Sequence, residues 1–219
     1  VVDYVVTGLS ANSVSYSTAF ERQRALHAAV ASGRAPDSVL LLEHTSVYTA
    51  GKRTEPHERP VDDRIPVIDV DRGGKITWHG PGQLVGYPIV RLADPIDVVA
   101  YVRRLEGMLI GVLADHGIVG TRVEGRSGVW IERPGAPADK IAAIGIRVSE
   151  GVTMHGFALN CSNDLEPYRA IIACGIRDAG VTTMSRELGR TVTPADVVDS
   201  VTRRFEEALA GSLRSGVPA

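Results

Sequence analysis

Cysteine is scarce in this chain. Only Cys161 and Cys174 occur among 219 residues. Two cysteines make no disulfide framework, and without Cys-x-x-Cys spacing they make no structural zinc site, so a single reactive thiol is the useful expectation. Charge of one sign is lacking too: 24 Lys and Arg stand against 26 Asp and Glu, which leaves no basic footprint for a nucleic acid. No apolar run approaches the roughly eighteen residues that cross a bilayer. The opening VVDYVVTGLS lacks the charged first region of a signal peptide. A soluble, cytoplasmic protein is therefore expected, with neither nucleic-acid nor membrane partner. The six histidines are scattered, so no metal site is expected. There is no repeat of fixed period and no low-complexity tract.

What is there is a mixed pattern, 44% hydrophobic and 23% charged, that reads as one globular domain over residues 1–219. Helix grammar marks three segments. The first runs from about Ser13 to Ser32, with Phe20, Leu26 and Val30 among polar residues and Gly33 after it. The second has Asp94 as cap, Pro95 in its first turn, Asp97 at its positive end and Gly117 beyond its last turn. The third runs from Pro194 to about Ala210, capped by Thr193 with Asp196 three residues on. Between them SVLLLEH, SVYTAG, IPVIDV, LVGYPIVRL, SGVWIE, KIAAIGIRV and VTMHGFALN read as strands. The fold class expected is α/β (α+β), one mixed sheet flanked by helices. ERPGAPAD, Glu132 to Asp139, is a proline-bearing loop between two of its strands.

The stretch RGGKITWHGPGQLVG, Arg72 to Gly86, holds five glycines in fifteen residues. It lacks the spacing of the common nucleotide cradles, which leaves nucleotide binding a weak reading. In RGGKIT the Gly-Lys pair is followed by Ile76 rather than Ser or Thr, and Gly86 comes one residue late for the dinucleotide fingerprint. What remains is a loop that leaves room beside a strand, with His79 and Gln83 as polar handles and Trp78 as an apolar wall, suited to an elongated, partly apolar ligand. Glycines also serve turns with no ligand at all. IIACGI sets Cys174 before a glycine, where the chain can turn and present a thiol, whereas Cys161 in FALNCSN reads as inert packing. DKIAAIGIRV puts Lys140 at the head of a strand whose small residues Ala142, Ala143 and Gly145 leave space against its backbone, and HGFALN supplies a second such strand with Gly156 and Ala158 on one face.

RGGKITWHGPGQ, GVW, Lys140 with IAAIGI, HGFALN and ACGI, in this order over most of the chain, resemble the octanoyltransferases of lipoate synthesis, the lipoate-protein ligase B family. The resemblance implies a fold like the catalytic domain of biotin and lipoate ligases. It implies transfer of an octanoyl group, without ATP, from octanoyl-acyl carrier protein to the lysine amine of lipoyl domains, those of the 2-oxoacid dehydrogenase complexes and of the glycine cleavage H protein. A monomer without a metal is the expectation beside it. Carried over by motif, Cys174 is the nucleophile and Lys140 its partner. Arg72, Gly73, Gly74, Lys75, Ile76, Thr77, Trp78 and His79 would line the acyl site with Ala143, Ile144, Gly145, His155, Gly156 and Phe157. Two positions depart from the pattern: Ala173 stands where Pro would precede the reactive Cys, and Cys161 follows ALN in place of an aliphatic residue, which would leave a second thiol near the site.

These residue types suit the reaction. The thiolate attacks, and at a reference pKa of about 8.5 only a few per cent is ionised at pH 7, so a nearby ammonium raises the reactive fraction. Lys140 would then relay the proton that the incoming lysine must lose. Backbone N–H groups near Gly145 and Gly175 are candidate oxyanion donors. An eight-carbon chain contributes about 5 kcal/mol of burial, at roughly 0.8 kcal/mol per methylene. Lys52, Arg53, Arg72, Arg103 and Arg104 are candidates for meeting an acidic carrier. Three other readings stand beside this one: an ATP-dependent lipoate or biotin ligase, a cysteine hydrolase or amidase pairing Cys174 with His79 or His155, and a non-catalytic module that binds lipoyl or carrier domains.

Overall fold

A computed structural model of the chain describes residues 2–172 and 179–209. Its strands are β1 (Asp3–Val6), β2 (Ser38–Leu42), β3 (Val47–Ala50), β4 (Val67–Asp69), β5 (Thr77–His79), β6 (Gln83–Ile89), β7 (Thr121–Val123), β8 (Arg126–Arg133), β9 (Ala136–Ser149) and β10 (Val152–Asn160). Its α-helices are α1 (Tyr16–Ala31), α2 (Val98–Asp115), α3 (Met184–Leu188) and α4 (Pro194–Leu209). Where the sequence pattern suggests one sheet, there are two. Seven strands pair in the order β1-β2-β6-β10-β9-β8-β7, and a separate three-stranded sheet has the order β4-β3-β5. The α/β fold class stands, with helices flanking a mixed sheet.

Strand β2 shows why the central strands read as unbroken apolar runs. Val39 and Leu41 pack into a core with α2 and α4 residues such as Leu105, Leu109, Val201 and Phe205, while Leu40 and Leu42 pack with Ala19 of α1. Both faces are covered, so alternation disappears. The smaller sheet has its own cluster of Tyr48, Ala50, Ile76 and Trp78.

Three boundaries differ from expectation. Helix α2 starts at Val98, and its cap is Asp97, whose carboxylate accepts from Ala100 N–H at 2.8 Å, rather than Asp94. At α4 the predicted pair forms with its polarity reversed: the Thr193 backbone N–H and hydroxyl both donate to the Asp196 carboxylate, at 2.7 and 2.8 Å. The stretch ERPGAPAD is no loop, since Arg133 pairs with Ala136 and only Pro134 and Gly135 turn the hairpin.

Candidate active site

A cavity of about 250 Å³ opens where the small sheet and the glycine stretch lie over the α1 side of the large sheet. Its walls come from separate parts of the chain. Tyr16 projects from α1, Val85 and Tyr87 from β6, and Thr77 and His79 from β5. Ala143, Ile144 and Gly145 come from β9, with His155, Gly156, Phe157 and Ala158 from β10. Arg72, Gly74 and Lys75 close one side, Lys140 another, and Arg53 with Gly125, Arg126 and Ser127 form the remaining rim. Of the residues the resemblance sets in the acyl site, Gly73, Ile76 and Trp78 do not line this space, and neither does Gln83, expected as a polar handle. Ile76 and Trp78 are core residues of the small sheet, 0% and 2% exposed, and the Trp78 indole N–H donates to Ser46 Oγ at 2.9 Å. Gly73 is exposed.

The glycine stretch is shaped by its contact with β9. Gly73 N–H donates to Ile146 O at 3.0 Å, laying the turn directly on β9. A Cβ on Gly145 would come within 3.0 Å of Arg72 Cδ and 3.2 Å of Gly73 O, so backbone and turn meet only because this position is bare. Arg72 fastens the turn from inside. Its guanidinium donates to Gly73 O and Lys75 O at 3.0 and 2.9 Å, and to Thr49 O and Oγ1 at 2.7 and 2.9 Å. Being 8% exposed, it is no surface residue for an acidic carrier, contrary to expectation. Of the other expected carrier contacts, Arg103 is held by Glu106 at 2.8 Å, while Lys52, Arg53 and Arg104 are exposed. Lys75 Nζ lies 2.5 Å from Glu58 Oε1.

His79 belongs to a chain of oriented hydrogen bonds. The Gln83 amide N–H₂ faces three acceptors, Trp78 O, Asn160 Oδ1 and Tyr168 Oη, so its Oε1 faces His79 Nδ1 at 2.8 Å and takes the ring proton. The other nitrogen lies 3.2 Å from the Thr49 hydroxyl, whose oxygen already accepts from Arg72. Burial, helped by neighbouring His44, pulls His79 down to about 3. A neutral imidazole with both nitrogens engaged is a poor general base, which weighs against pairing it with the thiol of a hydrolase. His155 Nε2 lies 2.8 Å from Asp71 Oδ1, and Arg147 binds the other carboxylate oxygen. Burial lowers His155 below its ordinary value despite Asp71, so it donates as the neutral tautomer. Asp71 is itself pushed up by burial, yet its bonds to His155 and Arg147 bring it net below the usual carboxylate range. The backbone at His155 is left-handed, φ 57°, and its N–H is held by Gln23 Oε1 at 2.9 Å.

Lys140 is 8% exposed and sits inside β9, not at its head. Its N–H donates to Gly180 O at 2.9 Å and its carbonyl accepts from Thr182 N–H at 3.0 Å. Cys174 and Gly175 lie outside the described residues, as does Ala173. On the near side of that segment Ile172 N–H donates to Glu58 O at 3.2 Å, and on the far side the chain returns to Lys140. Cys161 stands apart from the cavity. It is fully buried in the core beneath α2 and α4, its thiol pushed up to about 12 by burial, so the feared second thiol at the site does not arise. Among the described residues no three His, Cys, Asp or Glu side chains are grouped to hold a metal, and no helix is long and apolar enough to cross a membrane.

Sequence reasoning missed Tyr16, Val85, Tyr87 and the rim Gly125, Arg126 and Ser127. Alternation along β6 could have offered Val85 and Tyr87, two residues apart on one face. Nothing local announces Tyr16 or the rim, which arrive from distant segments.

Comparison with known proteins agrees with this architecture. Residues 15–206 match the family described as the lipoyl protein ligase A/B catalytic domain. An octanoyltransferase of Clavibacter sepedonicus is 67% identical, covering 100% of this chain and 96% of that one. One from Leifsonia xyli subsp. xyli is 65% identical over 89% of this chain and 87% of its own. In an archaeal lipoylation system, the bipartite lipoate protein ligase of Thermoplasma acidophilum shares the fold with a TM-score of 0.68 at 18% identity, covering 95% of this chain and 82% of that one. The chain therefore belongs to the lipoyl protein ligase A/B catalytic-domain family and, within it, to the octanoyltransferases.

Proposed function

We propose that this octanoyltransferase carries its acyl group on Cys174, with Lys140 moving the protons and the cavity holding the eight-carbon chain. The donor is octanoyl-acyl carrier protein and the acceptor a lysine of a lipoyl domain. In the first step the Cys174 thiolate adds to the donor carbonyl, the carbon–sulfur bond to phosphopantetheine breaks, and the departing thiolate takes a proton from the Lys140 ammonium. In the second the acceptor amine adds to the new thioester, gives its proton to the Lys140 amine, and the carbon–sulfur bond breaks to restore thiolate and ammonium. Protons and charges return to their starting places, so neither ATP nor a metal is called for. The exchange of one thioester for another is near balance, and amide formation draws it forward.

The observation that carries the reading is the position of Lys140. It is a buried lysine on the wall of a partly apolar cavity, bonded through its backbone to the segment that returns just after Cys174. The described chain before Cys174 is tied to Glu58, whose side chain holds Lys75, another residue lining the cavity. Backbone N–H groups near Gly145 and Gly175 are offered as donors to the oxyanion, and His155, Gly156 and Phe157 with Ala143 to Gly145 as the seat of the acyl chain.

The test is transfer without ATP. Protein, octanoyl-carrier thioester and an apo lipoyl domain are mixed, and octanoylation of the domain is followed by mass. The reading expects transfer that Cys174→Ala abolishes. Release of octanoate alone would make the protein a hydrolase, and a requirement for ATP would make it a ligase.

A further inference from the structure

The motif GVW has no part in the mechanism so far, and its tryptophan touches the mechanism's lysine. Trp130 is 1% exposed, among the largest fully buried side chains. The Lys140 Nζ lies 4.6 Å from the centroid of its ring, within cation–π range. Among the described residues the Lys140 ammonium has no carboxylate. Its chain neighbour Asp139 is taken by Arg133 at 2.8 Å, and the buried Glu106 on α2 is taken by Arg103, Arg122 and the Gly128 N–H. The other cation near the ring is Arg126, 5.8 Å from its centroid.

Two further facts show that this contact is built rather than incidental. Strand β8 pairs with β9 through Val129 opposite Ala142 and then Trp130 opposite Lys140, so Ile141 is an extra residue on β9. Directly opposed residues share a face, and a plain ladder would set Trp130 against Ile141 and turn Lys140 to the other side. The bulge is what brings amine and indole together. Second, the Trp130 indole N–H is buried with no hydrogen-bond partner among the described residues. A position chosen for packing alone would be filled by an apolar ring without that unpaired donor.

We propose that Trp130 is the positioning residue for Lys140, its indole face holding the ammonium at the cavity wall where the described residues supply no counter-ion. A carboxylate there would hold the proton and compete for the charge that the reacting sulfur needs. An aromatic face steadies the ammonium without accepting its proton, and lets the neutral amine form during the cycle. This inference rests on the proposed role of Lys140.

The experiment is a double-mutant cycle on single-turnover acylation of the protein by octanoyl-carrier thioester, read by mass, with steady-state kcat and KM for transfer. Trp130→Leu is expected to lower the acylation rate and kcat by about tenfold with KM unchanged, and Trp130→Phe by about threefold, in the order of their ring strengths. In a Lys140→Met background neither change should cost more than about twofold. Should Leu at this position lower the melting temperature, Trp130→Phe with and without Lys140→Met is read in the same way. Equal losses in both backgrounds would make Trp130 a packing residue and overturn the inference, as would native rates in Trp130→Leu. Native rates in Lys140→Met alone would instead overturn the role of Lys140 itself.

Discussion

Lys140 and His79 both line the cavity, and they differ in what they can do with a proton. His79 is buried, held at both nitrogens and drawn down to about 3. Replacing it with Gln should lower kcat by less than about tenfold, where loss of a general base would cost about 10²–10⁴; steady-state transfer rates decide between them. Lys140→Met should slow both half-reactions by about a hundredfold or more, measured separately as acylation by carrier thioester and as discharge to a lipoyl domain. Lys140→Arg separates charge from proton transfer. A guanidinium keeps the positive charge but does not give up its proton, so acylation should survive better than discharge. Little loss in either step would mean that Lys140 acts through its charge alone.

At the scale of elements, the glycine turn and β9 meet at a bare position, and Gly145→Ala tests that contact. The new methyl would crowd Arg72 Cδ and Gly73 O, lifting the turn that carries one wall of the cavity. KM for the octanoyl-carrier donor should rise several-fold, with about 1–3 kcal/mol lost from stability on chemical denaturation. An unchanged KM would show that the turn does not shape the acyl seat. The legible parts of this region were those with a short-range signal. Helix α1 with its glycine stop, the strands β9 and β10, and the small residues facing the cavity all follow from spacing within a few positions. The bulge at Ile141 does not, because nothing in KIAAIGIRV distinguishes an extra residue from a regular one. Lys140 therefore reads as a strand head in sequence and proves to be a buried side chain inside β9, beside the bulge. The division into two sheets was equally hidden, since SVYTAG and IPVIDV carry the same pattern whichever partners they find. Trp78 and Ile76 show the reverse error: a run read as one lining surface alternates along β5, sending Thr77 and His79 to the cavity and their neighbours to the small core.

Across the whole molecule, the buried histidines couple fold stability to pH. His44 is brought down to about 4 by burial, although it bonds Val14 O and Tyr87 Oη, and His79 to about 3. Both are neutral when folded and take up a proton near pH 6.5 when unfolded. Between pH 6.5 and their folded values the unfolded chain binds more protons, so stability rises with pH there and is lost on acidification. At pH 5 the loss is about 2 kcal/mol for each histidine, before most carboxylates begin to titrate. Denaturant midpoints measured from pH 7 to pH 5 should fall accordingly, and fall less steeply in a His44→Asn, His79→Asn double variant. A flat profile in the native protein would show that these rings are not held neutral.

The proposed mechanism stands on one sulfur and one amine serving a single cavity, and the mass of the protein tests that claim most directly. Native protein is incubated with octanoyl-carrier thioester alone, without ATP or acceptor, then digested and mapped. The account predicts one octanoyl group, on Cys174 and not on Cys161, that disappears when a lipoyl domain is added and that forms far more slowly in Lys140→Met. No adduct, or an adduct on another residue that passes to the acceptor equally well in Cys174→Ala, would contradict it.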